Sequence, residues 1–126
     1  MIGGDDLKYR GNKIMTDFIV TYVTVSSMEE AKKISYSLVE NKLAACANIV
    51  PSITSVYTWQ EKICEDQECL LIIKTKKELF PALQEKVKSL HSYTVPEIIA
   101  LPILEGSESY LDWIRNETVD YENREE

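Results

Sequence analysis

Residues 45–74 read ACANIVPSITSVYTWQEKICEDQECLLIIK, and this stretch decides the fold. Ala45–Trp59 and Lys62–Lys74 are two runs of β-branched, aromatic and aliphatic residues around a short polar break at Gln60-Glu61. The spacing predicts two long strands joined by a tight turn. That turn carries no glycine, the usual residue of a two-residue hairpin. Ile49, Ile53, Tyr57 and Trp59 share one parity. Pro51 offers no N–H to a ladder, so a bulge or an edge is expected there. Cys69–Ile73 is continuously apolar and predicts burial on both faces.

The neighbouring stretches complete the pattern. Upstream, Asp17–Val25 (DFIVTYVTV) predicts a central, doubly covered strand. Ser27–Asn41 predicts a helix: Ser27-x-x-Glu30 is a capping box, Met28, Ala31, Ile34, Leu38 and Val39 form an apolar stripe, and Asn41 suits a left-handed helix end. Downstream, Glu78–His91 predicts a second helix with Pro81 in its first turn. Glu97–Ile103 predicts a strand, and Ser107–Asn116 a last helix capped by Ser107. The order β-α-β-β-α-β-α is mixed α/β (α+β). It is the ferredoxin-like split βαβ arrangement, an antiparallel sheet with an extra C-terminal helix.

Two helices cover one face of such a sheet. At about 3.3 Å per residue the two long strands reach roughly 43 Å, so their ends overhang the rest. Tyr57, Trp59, Leu70 and Ile72 are too apolar for an uncovered hairpin. The expectation is a homo-oligomer joined through the open sheet face and the hairpin. The alternative is that the last helix covers that face by itself.

The 126 residues suit one domain, and 44% of them are hydrophobic. Residues 1–14 are expected to be a disordered leader, 15–116 the domain, and 117–126 an acidic tail. The net charge of −7, with no basic stripe, argues against nucleic acid as a partner. No apolar run approaches a membrane span, and the N-terminus carries no secretory signal, so a cytoplasmic protein without a membrane partner is expected. The cysteines Cys46, Cys64 and Cys69 are odd in number and form no CxxC pair, which argues against a disulfide framework or a structural zinc site.

A few side chains offer chemistry. His91 is the single histidine, at a helix end. It is either a partner for free helix carbonyls or a metal ligand or proton-transfer group. Cys46 is a small buried hydrophobe or a soft-metal ligand. Glu68 and Lys74 share a parity. They are solvated strand ends or a polar pair lining an inter-subunit cleft, for which Tyr57, Trp59 and Tyr93 would form apolar walls. No phosphate loop, HExxH or nucleophile elbow is present, so no catalytic residue is assigned and no enzyme is expected.

The segments KLAACANIVPSITSVYTWQEKI, ECLLIIKT, LHSYTVPEIIALPI and YLDWI, in this order, resemble the signature of the CutA divalent-cation-tolerance family across Asp17–Asn116. The resemblance implies a ferredoxin-like homotrimer in the cytoplasm. It also implies binding of copper or another divalent cation in the response to metal ions, with no organic cofactor. It places Cys46, Tyr57, Trp59, Glu68, Lys74, His91, Tyr93, Pro96, Glu97 and Trp113 in the family pattern. Val23 and Leu90 stand where some relatives carry a thiol and a histidine, which leaves His91, Cys46 and Glu97 as the candidate metal set. A similarity of architecture to the PII regulators implies an alternative: a non-catalytic signalling or scaffold trimer with a small ligand in its inter-subunit clefts.

Overall fold

The structure is a computed structural model that describes residues 7–10 and 13–120. β1 (Leu7–Arg10) and β2 (Lys13–Thr16) pair antiparallel, Leu7 against Thr16. The rest of the expected leader lies outside the described residues. There follow β3 (Phe18–Val25), α1 (Met28–Glu40), β4 (Cys46–Trp59), β5 (Lys62–Lys76), α2 (Phe80–Leu90), β6 (Ile98–Pro102) and α3 (Glu108–Glu117). From β3 on, the strands form one antiparallel sheet in the order β4-β5-β3-β6. This is the expected ferredoxin-like topology, with β3 and β5 central.

One sheet face carries the main core. Val23 and Val25 of β3 and Leu71 and Ile73 of β5 pack with Ala31, Ile34 and Leu38 of α1 and Leu83 and Val87 of α2. All nine are fully buried. The other face differs from the expectation of double coverage. α3 places Leu111 and Ile114 against Phe18 and Ala45, at one end of that face. Beyond this patch Val20, Tyr22, Leu70 and Ile72 are half-buried, and Ile99 and Leu101 are 50% and 48% exposed. Their register, Tyr22 between Ile72 and Ile99, puts them on one surface. A ten-residue helix is too short to shield it.

Pro51 does mark a bulge. Val50 faces Leu70 and Ile53 faces Glu68, so β4 carries one extra residue there. The thiol of Cys69 donates to the carbonyl of Pro51 at 3.3 Å, occupying an acceptor that the bulge frees from the ladder. The extra residue also corrects the parity read from the sequence. Ile49 packs on the core, whereas Ile53, Tyr57 and Trp59 lie on the opposite face. Among the described residues, β5 beyond Cys69 pairs with β4 alone, so the two strands leave the sheet as an arm.

The helix ends show further differences. Ser27 accepts from the Glu30 N–H at 3.1 Å as expected, but the Glu30 carboxylate turns to Ser26 and Ser92 and so leaves the capping box half made. Lys42, not Asn41, takes the left-handed conformation (φ 58°), because the Asn41 side chain donates to the Ser37 carbonyl at 2.7 Å. A short 3-10 turn, Lys77–Leu79, precedes α2 and brings Pro81 into its first turn. Ser107 sits at the N-cap of α3 without a capping bond, its hydroxyl paired with that of Ser109. Of the expected acidic tail, Thr118 is buried and the Val119 N–H donates to the Lys42 carbonyl. Residues 121–126 lie outside the described residues.

The arm's turn is strained. Gln60 and Glu61 both adopt positive φ, 50° and 67°, the geometry of a type I′ turn built without glycine. Left-handed backbone costs an L-residue roughly 1–2 kcal/mol. Replacing Gln60-Glu61 by Asn-Gly is therefore expected to stabilise the protein by about 1 kcal/mol. Urea midpoints of the two proteins at equal concentration check this; an unchanged midpoint would exclude strain at the turn.

Candidate functional site

The site begins where α2 stops. His91 is the C-cap residue, and its extended backbone (φ −81°, ψ 144°) turns the chain across the end of the sheet. Its side chain is fully buried. Nε2 lies 2.7 Å from the Thr24 carbonyl on β3, an acceptor, so Nε2 carries the proton. Nδ1 is then free to accept the Tyr93 N–H at 3.1 Å. Both ring nitrogens are thus committed to backbone, and the ring packs against that of Tyr93 at a centroid distance of 4.8 Å.

Glu30 on α1 fixes the next residue. Its carboxylate accepts the Ser92 N–H at 2.7 Å, the Ser92 hydroxyl at 3.0 Å and the Ser26 hydroxyl at 3.2 Å, and lies 3.5 Å from His91 Nδ1. Burial by itself would raise the Glu30 carboxyl. The hydrogen bonds from Ser92, with help from His91 and Ser26, outweigh it and hold the group below the ordinary carboxylate range.

So held, the loop delivers Tyr93 to the other face of the sheet. The phenol donates to Glu68 Oε2 at 2.6 Å, and burial together with that carboxylate pushes the hydroxyl well above its usual range. Thr24 donates to Glu97 Oε1 at 3.4 Å. Tyr57 on the arm donates to Asp66, which pushes its phenol up to about 12. Between loop, sheet end and arm lies a cleft of about 680 Å3, with Tyr57 and Trp59 on one wall, Tyr93 and Glu97 on another, and Glu68 and Thr24 at its base. None of the described lining residues is basic. Both phenols keep their protons at neutral pH, so the cleft's charge comes from carboxylates.

Of the five residues expected to line a cleft between subunits, Tyr57, Trp59, Glu68 and Tyr93 line this cleft within one chain. Lys74 does not. It lies six positions along β5 from Glu68, opposite Cys46, and bonds the Asn48 side chain. The candidate metal set separates in the same way. His91 and Glu97 both contact Thr24, which faces Leu70, whereas Cys46 faces Lys74, roughly 13 Å further along β5. Cys46 instead lies beside Asn48 and Tyr110. Among the described residues no three His, Cys, Asp or Glu side chains form a cation-holding group. Within one chain, His91, Cys46 and Glu97 do not fit a metal ion. Glu30 escaped the sequence reading because its capping-box spacing points to a local role, whereas its partner Ser92 lies 62 residues away.

An α/β domain of ferredoxin-like topology, with an acidic, aromatic-walled cleft under a projecting hairpin, is the class that this geometry defines. Comparison with known proteins narrows it. The family described as "CutA1 divalent ion tolerance protein" matches residues 19–117, and the chain belongs to that family. It is 58% identical over 99 residues to the divalent-cation tolerance protein CutA of Thermus thermophilus, covering 79% of this chain and 96% of that one. It is 55% identical over 100 residues to the chloroplastic protein CutA of Arabidopsis thaliana, of which it spans 55%. Solved structures agree: the T. thermophilus protein superposes with a TM-score of 0.80 (56% identity, 81% of this chain and 99% of that one). The CutA protein of Archaeoglobus fulgidus, described as periplasmic, gives 0.78 at 43% identity (79% and 97%).

Glu30 anchors the loop through charge-assisted hydrogen bonds. Its removal leaves the Ser92 N–H without its partner, so Glu30→Ala is expected to cost about 2 kcal/mol at pH 7. A carboxyl held low in the folded state contributes stability above its unfolded value and loses it as pH falls through the folded one. The difference between the two proteins is therefore expected to shrink below roughly pH 4. Urea unfolding at pH 7 and pH 3.5 measures both; a pH-independent difference would contradict the charge-assisted account.

Proposed function

We propose that this protein acts in divalent-cation tolerance as a homotrimer, binding the cation in the acidic cleft through Glu68 and Glu97 rather than through His91 and Cys46. The observation that carries this reading is the cleft's charge: two carboxylates, no basic lining residue, and phenols that stay neutral. Hard divalent cations are held by one or two carboxylates with water completing the shell. The family's description names divalent ions, and that of the T. thermophilus relative names divalent cations.

The exposed surface supports assembly. Ile99 and Leu101 stand half-exposed on the open sheet face, and Ile63 on the arm is 82% exposed. Apolar surface of this kind in a soluble domain favours self-association. Cys46 and Lys74, on the open-face side of β4 and β5, then belong to the contact between copies. The cytoplasm suits the three free cysteines, and among the described residues no helix is long and apolar enough to cross a membrane.

Sedimentation equilibrium is expected to give three times the 14.5 kDa chain mass. Calorimetric titration with Cu(II) and with Zn(II) is expected to show a saturable heat that Glu68→Gln weakens about tenfold or more and that Cys46→Ala leaves unchanged. A monomer, or loss of binding in Cys46→Ala but not in Glu68→Gln, would sink the proposal.

A further inference from the structure

A coordinated metal ion uses only a corner of this cleft. Coordination holds donors at roughly 2.0–2.6 Å, whereas the cleft encloses about 680 Å3, a volume typical of sites for small organic molecules. Its walls are aromatic. Tyr57, Trp59 and Tyr93 line it while remaining 40%, 51% and 36% exposed. Leaving three large rings this open has no account in the core of the chain. The two phenols are oriented by their own carboxylates, Tyr57 by Asp66 and Tyr93 by Glu68, which holds both rings at the cleft edge.

The charge selects the ligand class. Ring faces carry negative quadrupole potential and attract cations. Glu68, 8% exposed at the cleft base, and Glu97 add formal negative charge in a partly desolvated setting. A phosphate or carboxylate ligand would meet two carboxylates and no basic lining residue. Lys62 lies opposite Trp59 at the arm tip, outside the lining, and Lys74 is tied to Asn48.

We infer that the cleft binds a small organic cation, an amine or quaternary ammonium group, stacked on Tyr57, Trp59 and Tyr93 with its charge facing Glu68 and Glu97. The inference rests on the cleft being the binding site proposed above, and it adds a second class of cation to that site. The aromatic walls recognise a diffuse organic charge, and the carboxylates at the base hold either kind. The two ligands therefore compete.

The test uses intrinsic fluorescence of the full chain in a Trp113→Phe background, so that Trp59 reports alone. The probes are choline, n-butylammonium and 3,3-dimethylbutan-1-ol, the uncharged isostere of choline. Choline is expected to change the signal saturably and to bind about tenfold or more tighter than the isostere. Glu68→Gln and Trp59→Leu, the latter read by calorimetry, each weaken it by a similar factor. Zn(II) added to the choline complex is expected to reverse the signal. Equal affinity for choline and its isostere, or no saturable response to either ammonium probe while the Zn(II) heat persists, overturns the inference and leaves the metal reading intact. Loss of both the ammonium and the Zn(II) response removes the cleft as a site altogether. Unchanged sedimentation of each variant separates lost binding from lost folding.

Discussion

β5 is longer than the strand beside it. β3 pairs with β5 only from Lys76 to Cys69, and from Glu68 to Lys62 the ladder has β4 alone. A two-stranded ribbon is marginally stable in water by itself, so this arm depends on what touches its base. The loop after α2 fills the notch where β3 ends and ties Tyr93 to Glu68, the first β5 residue beyond the notch. The cleft is the space left between a ribbon that leaves the sheet and a loop that climbs around its end. A β3 extended to match β5 would close that space. The length mismatch thus generates both the cleft and the unpaired apolar arm.

The loop needs a rigid anchor, and it has one in a chain of polar contacts. Thr24, the penultimate residue of β3, gives its carbonyl to His91 and its hydroxyl to Glu97, so one residue fixes both ends of the loop. Glu30, in the first turn of α1, holds Ser92 between them. α1 and β3 already form the core with Ala31, Ile34, Val23 and Val25. The cleft wall therefore inherits the stability of the core instead of depending on loop residues that bury little themselves. His91, the side chain most open to a metal-ligand reading, is consumed in this scaffold. Nε2 is spent on the Thr24 carbonyl and Nδ1 on the Tyr93 N–H, so neither ring nitrogen is left for a metal ion.

Much of this was legible in the residues. Period and order gave every element from β3 onward to within a residue or two, because each amphipathic stripe or β-rich run agrees with its local propensity. The grouping of Tyr57, Trp59, Glu68 and Tyr93 has a different basis, expected between subunits and found within one chain: apolar residues beside charges on an overlong hairpin have few places to go. What escaped depends on long-range geometry. Glu30 looked like half of a local capping box, and its competitor Ser92 is distant in sequence. The metal set separates within one chain because residue type says nothing of position: Cys46 lies roughly 13 Å along the sheet from the end that holds Glu97. Double coverage of β3 and of Cys69–Ile73 was overread because an apolar alternate face looks the same whether an intramolecular helix or another molecule covers it.

The bulge at Pro51 decides which side chains reach the cleft. Before it, Cys46, Asn48 and Val50 share a face with Lys74, Ile72 and Leu70. A regular ladder would carry that parity onward and turn the even-numbered Val56 and Thr58 to the cleft side, with Tyr57 and Trp59 behind. One inserted residue reverses this: Ile53, Ser55, Tyr57 and Trp59 now face the same way as Glu68, Asp66, Cys64 and Lys62. Proline suits the inserted stretch because it has no N–H to lose, and Cys69 occupies its carbonyl, so the irregularity leaves that acceptor satisfied. Pro51 lies well outside the cleft, yet it sets the parity of both arm aromatics. Restoring the regular register would leave the fold's core pairs Ile49–Leu71 and Ala47–Ile73 intact while turning Tyr57 and Trp59 away from the face that carries Glu68.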